Sequence, residues 1–181
     1  MITQWETIDS KKVANLHIFD AYLKSRINPD TGNIGNFTVL ESSDWVNIIP
    51  ITNDNKIIMI EQYRHGTDEV TLEIPGGLIE LNELPINAAK RECNEETGFG
   101  STSEPIFTGV TNPNPAFLNN KCFSFVWQNC LKTNEQKLDM HEIINIHEFT
   151  RDEVKNKIIS GEINHSIILT AFFFYSLKFG F

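Results

Sequence analysis

The pattern of apolar and polar residues predicts a strand-rich beginning to the chain. Apolar side chains are frequent in residues 13–27 and 36–51, and residues 28–36 between them, NPDTGNIGN, are rich in Asn, Gly and Pro. Clusters of that composition are typical of turns between strands. Residues 53–55 (NDN) predict the next turn, and the run IIMI that follows is typical of a buried strand.

The pattern then changes from strand to helix. VTLEI at 70–74 predicts a short strand, which we expect PGG at 75–77 to end. In residues 84–97 apolar positions recur at steps of three and four, as they do on one face of a helix. Pro85 in the first turn and Gly98 after the last turn suit the two ends of this helix.

The remaining sequence predicts three more strands and two more helices. Thr150 and Glu153 have the spacing of a capping box, so a helix is predicted from Thr150 to Gly161. The apolar segment from Asn164 predicts a buried helix. Strands are predicted at 105–111, 120–130 and 141–149. This order predicts a layered α/β protein with a strand-rich lobe at 1–45 and a larger domain at 46–181.

Composition narrows the classes of partner. The formal net charge is −9, and 40% of the residues are hydrophobic, enough for the core of one domain. An acidic chain is a poor match for nucleic acid or for an anionic membrane surface. The apolar C-terminal stretch is short and contains Lys178, so we expect no membrane span. Three Cys without a C-x-x-C pair, and no signal peptide, predict reduced thiols in a cytoplasmic protein.

Candidate chemistry lies in the predicted helix at 84–97. Glu92, Glu95 and Glu96 are three and four residues apart, so a helix brings them toward one side. Two interpretations follow from these residues alone. The helix has a solvated acidic face, or the three carboxylates bind a hard divalent cation, which prefers oxygen ligands.

The surrounding residues favour the second interpretation. The segment from Gly77 to Phe99 fits the pattern G-x5-E-x7-R-E-U-x-E-E-x-G-U, where U is a bulky apolar residue. This pattern is the Nudix box, and the chain resembles a Nudix hydrolase. The fixed positions are filled by Gly77, Glu83, Arg91, Glu92, Glu95, Glu96, Gly98 and Phe99. Cys93 departs from the usual apolar residue but packs as a small hydrophobe.

The resemblance implies a fold, a reaction class and a metal. The fold is an α/β/α sandwich that carries a loop–helix–loop, and the substrate is a nucleoside diphosphate linked to another group. Mg²⁺, with Mn²⁺ as an alternative, would be held by Glu92, Glu95, Glu96 and the backbone carbonyl of Gly76. Arg91 and Glu83 would join the loop to the helix by an ion pair.

Segments beside the box resemble ADP-ribose pyrophosphatases and nucleotide-sugar hydrolases. In that match, carried by EQYRHG and TLEIPGG, Arg64 contacts a substrate phosphate; the alternative is a surface ion pair. Glu73 either lies in the site or forms an ion pair with Arg91. Pro115, sixteen residues after Phe99, is typical of the ADP-ribose subgroup.

The sequence departs from the resemblance at the position of the expected general base. The resemblance leads us to expect a Glu shortly after Pro115, but the chain has Asn119 and Asn120 there, which cannot abstract a proton. We expect Glu142, in the predicted strand HEIINI, to replace it; the alternative is an exposed strand residue. The departure favours a broad preference for NDP-sugars over ADP-ribose alone.

The resemblance also implies a homodimer formed through the N-terminal strands. Aromatic rings there could stack on the substrate's base, and the candidates are Phe19, Tyr22 and Trp45, with core packing as the alternative role. The predicted function is Mg²⁺-dependent hydrolysis of ADP-ribose or an NDP-sugar to a nucleoside monophosphate and a sugar phosphate. Two alternatives stay open: a house-cleaning nucleoside triphosphate hydrolase, and a non-catalytic nucleotide sensor on the same fold.

Overall fold

Two structural units make up the described part of the chain. A computed structural model describes residues 2–181. The first unit extends to Ser43 and also includes Asn112–Lys121, and the second comprises Asp44–Thr111 and Cys122–Phe181. The division at residue 45 stays a prediction. The structural grouping differs from it chiefly by placing Asn112–Lys121 with the N-terminal strands.

The first unit is a three-stranded antiparallel sheet in the order β1-β2-β3. Its strands are β1 (Glu6–Leu16), β2 (Phe19–Ile27) and β3 (Ile34–Glu41). The turn between β1 and β2 falls inside the apolar stretch 13–27, at His17, whose φ is 60°. No Gly, Asn or Pro marks that turn in the sequence. Residues 112–121 join the unit through β3, because Leu40 N donates to Phe117 O (2.8 Å).

The second unit contains an eight-stranded mixed sheet with β4 and β10 side by side and parallel at its centre. The strands are β4 (Trp45–Thr52), β5 (Ile57–Arg64), β6 (Glu69–Glu73), β7 (Gly76–Leu78), β8 (Phe99–Gly100), β9 (Ile106–Thr111), β10 (Cys122–Lys132) and β11 (Ile144–Phe149). β6 ends at Glu73, before PGG, as expected, but the two glycines are not a break, because they pair with Asn47 and Val46 as part of β7.

Three helices occur where the sequence predicts them. They are α1 (Pro85–Thr97), α2 (Arg151–Ser160) and α3 (Ser166–Phe179). Pro85 occupies the first turn of α1, and Gly98 ends it in the left-handed conformation, with φ 70°. Both halves of the capping box between Thr150 and Glu153 are formed at α2. Within residues 2–181, no helix is both long and apolar enough to span a membrane.

The helices cover opposite faces of the sheet, which confirms the α/β/α sandwich. Because side chains alternate across a strand, Ile48 and Ile58 point to one face and Ile49 and Met59 to the other. The first pair packs with Ala88, Ala89 and Cys93 of α1. The second packs with Val154 of α2 and with residues of α3 such as Phe172 and Tyr175.

Candidate active site

Helix α1 carries the three predicted glutamates, and β7 lies against it. Gly76 N donates to Glu96 Oε2 at 2.8 Å, so the strand and the buried carboxylate are directly connected. The neighbouring Gly77 faces Glu92. A Cβ at Gly77 would overlap the Glu92 carboxylate, so only glycine lets β7 approach this side chain without displacing it.

Arg91 joins the loop before α1 to the helix, as the sequence predicts. Its Nε and Nη2 donate to the two carboxylate oxygens of Glu83 at 3.0 and 2.9 Å, and Nη2 also donates to Leu78 O at 2.9 Å. Its Nη1 donates to Glu92 Oε1 (2.8 Å) and Glu95 Oε2 (3.1 Å). All five N–H groups of the guanidinium are therefore used, and they hold loop and carboxylates in one arrangement.

The carboxylates of Glu92 and Glu96 are buried with too little positive charge around them to favour their charged forms. Glu96 is 4% exposed, and burial raises its pKa well above the usual range despite the hydrogen bond from Gly76. Burial also raises the pKa of Glu92, against the lowering effect of Arg91. The negative charge of Glu142 contributes to the raised pKa of both groups. A bound cation would offset this accumulated charge.

The donor set fits a hard divalent cation. Carboxylate oxygens are the ligands that Mg²⁺ prefers. In the described residues no three His, Cys, Asp or Glu side chains stand in a preformed ligating cluster. Arg91 Nη1 holds Glu92 and Glu95, so these two side chains would have to turn to bind a metal. Mg²⁺ sites need no closed protein cage, because one or two carboxylates usually suffice together with water and substrate phosphates.

Arg64 of β5 and Glu73 of β6 form a two-pronged ion pair across the β5–β6 hairpin. Arg64 Nε donates to Oε1 and Nη2 to Oε2, both at 2.7 Å. The suggested pairing of Glu73 with Arg91 is therefore wrong: the hairpin register puts Arg64 and Glu73 on one face, and Arg91 is fully used elsewhere. The side chain of Glu73 is 1% exposed and that of Arg64 is 42% exposed. A buried carboxylate thus holds a guanidinium that reaches solvent.

Glu142 is not in a strand, which corrects the prediction for HEIINI. β11 begins at Ile144, and Glu142 lies in the preceding turn, where Asp139 N donates to its Oε2 at 3.1 Å. The predicted strand at 141–149 therefore starts three residues too early. The Glu142 turn and the end of β5, including Arg64, line an open cavity of about 990 Å³. Arg64, in turn, has its pKa raised chiefly by Glu73, with smaller contributions from Glu96 and Glu142.

The structure places the remaining candidates in both units. Phe19 begins β2 and Pro115 is exposed in the 112–121 segment, so both belong to the first unit. Trp45 begins β4 of the second unit and is half-buried. Tyr22 is half-buried in β2. Asn119 Oδ1 accepts a hydrogen bond from Ser42 N at 3.2 Å, a structural contact within the first unit.

One residue near Glu73 had no signal in the sequence. His165 Nδ1 lies 3.0 Å from Glu73 Oε2. A single His before a helix carries no motif. Only the packing of α3 against the sheet brings it to a carboxylate that lies far away along the chain.

Comparison with known proteins identifies the family. A model of the NUDIX domain matches residues 43–171, most of the chain, including the whole of α1 and its preceding loop. The chain belongs to the Nudix family. Nudix hydrolases generally use divalent metal ions, in agreement with the oxygen donors on α1.

Similarity to individual proteins extends over nearly the whole chain. The methanol dehydrogenase activator of Bacillus methanolicus is 31% identical over 175 residues, covering 96% of this chain and 90% of the relative. The ADP-ribose pyrophosphatase of Bacillus subtilis (strain 168) is 26% identical over 174 residues, with the same coverage. A crystal structure of an ADP compounds hydrolase shares the fold, with a TM-score of 0.85 and 21% identity over 98% of this chain and 95% of that one.

Proposed function

We propose that this Nudix hydrolase cleaves the pyrophosphate bond of ADP-ribose or another NDP-sugar. Mg²⁺ is the proposed cofactor, with Mn²⁺ as a substitute, and the products are a nucleoside monophosphate and a sugar phosphate. The observation that carries the proposal is the group of carboxylates on α1, two of them with pKa values raised by burial, beside the Arg64 guanidinium. The similarity to an ADP-ribose pyrophosphatase over 96% of the chain supports the choice of substrate.

The residues divide the chemical work between binding and proton transfer. Glu92, Glu95, Glu96 and the carbonyl of Gly76 would hold the metal, which when bound neutralises phosphate charge. Arg64 gives Nε and one hydrogen of Nη2 to Glu73, and its remaining N–H groups on Nη1 and Nη2 suit a phosphate of the substrate. Glu142 would take a proton from the attacking water while the oxygen of that water forms a bond to phosphorus. The bond between that phosphorus and the bridging oxygen then breaks, and the departing phosphate carries the electron pair.

A substrate panel tests this function. The protein is incubated with Mg²⁺ and ADP-ribose, ADP-glucose, UDP-glucose, GDP-mannose or dGTP, and phosphate monoester products are measured. We expect turnover of ADP-ribose or at least one NDP-sugar. Turnover of dGTP alone would contradict the proposal in favour of a house-cleaning triphosphate hydrolase. Binding without turnover of any compound would favour a nucleotide sensor.

The Glu142→Gln variant tests the proposed base. Glutamine keeps the size of the side chain but cannot accept a proton, so kcat should fall by about 10²–10⁴-fold with little change in KM. An unchanged kcat would exclude Glu142 as the base.

A second candidate function is an effect on a partner enzyme. The Bacillus methanolicus relative, 31% identical to this chain, is named for activating a methanol dehydrogenase. Adding the protein and Mg²⁺ to a methanol dehydrogenase assay tests this candidate. A rise in dehydrogenase rate that Glu96→Gln abolishes would support it. A rate that does not respond would exclude that partner.

We also propose that two copies pair through the three-stranded sheet of the first unit. Seven large apolar side chains are exposed in that sheet and its first turn, with Leu23 on one face and Phe37 on the other: Ile8, Val13, Leu16, Ile18, Leu23, Ile34 and Phe37 are 40–63% exposed. An exposed apolar surface of this kind is typical of a protein–protein interface.

A further inference from the structure

The carboxylate of Glu73 is surrounded by polar groups. Oε1 accepts hydrogen bonds from Arg64 Nε (2.7 Å) and Thr71 Oγ1 (2.6 Å). Oε2 accepts one from Arg64 Nη2 (2.7 Å) and faces His165 Nδ1 at 3.0 Å. With the side chain 1% exposed, water can replace none of these partners without rearrangement. Each oxygen is thus held between one prong of Arg64 and a second group.

The side chain of His165 faces this carboxylate and does not cap the helix that follows it. His165 is the residue before α3, but its side chain makes no capping hydrogen bond there. Its backbone oxygen alone accepts from Ile168 N (3.1 Å) and Leu169 N (3.0 Å) at the helix start. The Nδ1 atom is buried and forms no hydrogen bond of regular geometry within residues 2–181, and the carboxylate oxygen that it faces, at 3.0 Å, is Glu73 Oε2. The imidazole is therefore available to Glu73.

We propose that His165 is a positioning residue of the active site, which fixes the carboxylate of Glu73 and through it the guanidinium of Arg64. Arg64 is partly exposed, so its direction depends on how firmly its buried partner is held. Without His165, Oε2 would lose a neighbour in a site that water does not readily enter. The carboxylate could then rotate and take the Arg64 guanidinium with it. The functional half of this inference rests on the proposed role of Arg64 in phosphate binding.

The ionisation of Glu73 agrees with this arrangement. Burial by itself would raise the pKa of Glu73, but the hydrogen bonds from Arg64, with His165 and Thr71 also contributing, bring it to about 2. The carboxylate is therefore charged throughout the range in which an enzyme of this kind works. His165 accordingly controls the direction of the ion pair and not its existence.

The first test follows Arg64 without any substrate. The ¹⁵N NMR signal of Arg64 Nε–H reports the hydrogen bond to Glu73, and its exchange with water is compared in wild type, His165→Leu and His165→Asn. Leucine removes the donor, whereas asparagine places an amide near the position of Nδ1. We expect exchange at least about tenfold faster in His165→Leu and near wild type in His165→Asn. Unchanged exchange in His165→Leu would overturn the proposal.

A matched control uses another histidine beside a glutamate. His147 Nε2 lies 3.5 Å from Glu61 Oε2 on β11 and β5. His147→Leu should leave the Arg64 signal unchanged. Thermal melting of each variant checks folding. If His165→Leu does not fold, His165→Ala with the same readout takes its place.

The second test measures catalysis in a double-mutant cycle. We expect His165→Leu to raise KM for the best hydrolysed nucleotide sugar about tenfold, to change kcat little, and to have no further effect on KM in an Arg64→Ala background. An equal additional effect in that background would show that His165 acts independently of Arg64, which overturns the proposal. If Arg64→Ala alone leaves KM unchanged, the assigned role of Arg64 fails, and only the NMR result then bears on the link from His165 to Arg64.

Discussion

Glu96 shows how a single residue connects the fold to the proposed metal chemistry. Its carboxylate is buried at the end of α1 and accepts a hydrogen bond from Gly76 of β7. Burial raises its pKa, so the charged form is unfavourable until a cation compensates it. We therefore expect the same residue to disfavour the metal-free protein and to favour the metal-bound one.

The Glu96→Gln variant separates these two effects. Glutamine removes the charge but keeps the shape, so the melting temperature without metal should stay the same or rise. The increase in melting temperature on adding Mg²⁺ should be lost, and kcat should fall by several orders of magnitude. Thermal melting with and without Mg²⁺, followed by kinetics, measures these effects.

Glu148→Gln is the matched control for that experiment. Glu148 is exposed on β11 and is not one of the proposed metal ligands, so the variant should leave both the Mg²⁺ response and kcat near wild type. A Glu96→Gln protein with normal activity would remove Glu96 from the metal site.

Glu73 predicts a pH dependence of stability in acid. Its folded pKa is about 2, against a usual value of 4.5, so the native state favours the charged form. The resulting stability is complete above about pH 4.5 and is lost as the pH falls toward 2. It corresponds to about 3 kcal/mol of the free energy of unfolding. Urea unfolding of wild type and Glu73→Gln from pH 6 to 2 should give a shallower pH dependence in the variant. Equal slopes would contradict this assignment.

Individual residues show what the sequence could and could not predict about the site. The three α1 glutamates and the Glu83–Arg91 pair follow from a local motif, in which helical spacing sets the geometry. The sequence alone does not determine the partner of Glu73, because the Arg64–Glu73 pair depends on the hairpin register that puts both side chains on one face. The contact with His165 depends on the packing of a distant helix and has no local signal.

At the scale of elements, the C-terminus of α1 requires glycine more strictly than the C-terminus of α2 does. Gly98 and Gly161 both have positive φ, 70° and 81°. A Cβ at Gly98 would overlap the carbonyl of Asn134, whereas nothing lies within 4 Å of the Cβ position at Gly161. Gly98 O also accepts from Thr133 N at 2.9 Å, so the helix end supports the chain that leads to Glu142.

Alanine at Gly98 and at Gly161 should separate the cost of positive φ from the cost of overlap with the Asn134 carbonyl. Gly161→Ala should cost about 1 kcal/mol because alanine disfavours positive φ. Gly98→Ala should cost about 3 kcal/mol or more, since the carbonyl must also move. Denaturant unfolding measures both. Equal costs would show that the Asn134 carbonyl moves away freely.

The predictability of elements follows the strength of local signals. α1 and α2 have caps that can be read from sequence, and the structure confirms them. The β1–β2 turn at His17 lacks turn residues, and β7 is formed by glycines that are more often found in breaks. The Glu142 turn directly precedes β11, and no Gly or Pro separates it from the strand, so the sequence does not mark where the strand begins.

At the scale of the whole molecule, the fold class was predictable because the Nudix box fixes the central loop and helix. The grouping of Asn112–Lys121 with the N-terminal strands was not. It rests on contacts across a long separation in sequence, such as the bridge between Leu40 and Leu118.

The proposed dimer predicts the mass of the protein in solution and a substitution that should convert it to a monomer. Sedimentation equilibrium should give about twice the 20.7 kDa chain mass for the wild type. Leu23→Glu places a charge on the central strand of the first unit and should give a monomer. Leu81→Glu, at a residue 92% exposed in the second unit, is the control and should stay dimeric. A wild type that sediments as a 20.7 kDa species would contradict the dimer.

The most direct test of the central claim is the rate of ADP-ribose cleavage as Mg²⁺ is added back to metal-stripped protein. The claim is that carboxylates on α1 bind a divalent cation that is needed to hydrolyse a nucleotide diphosphate. We predict no cleavage in chelator, a rate that rises to saturation with Mg²⁺, and AMP with a ribose phosphate as products. A cleavage rate that is the same in chelator and in saturating Mg²⁺ would contradict the claim.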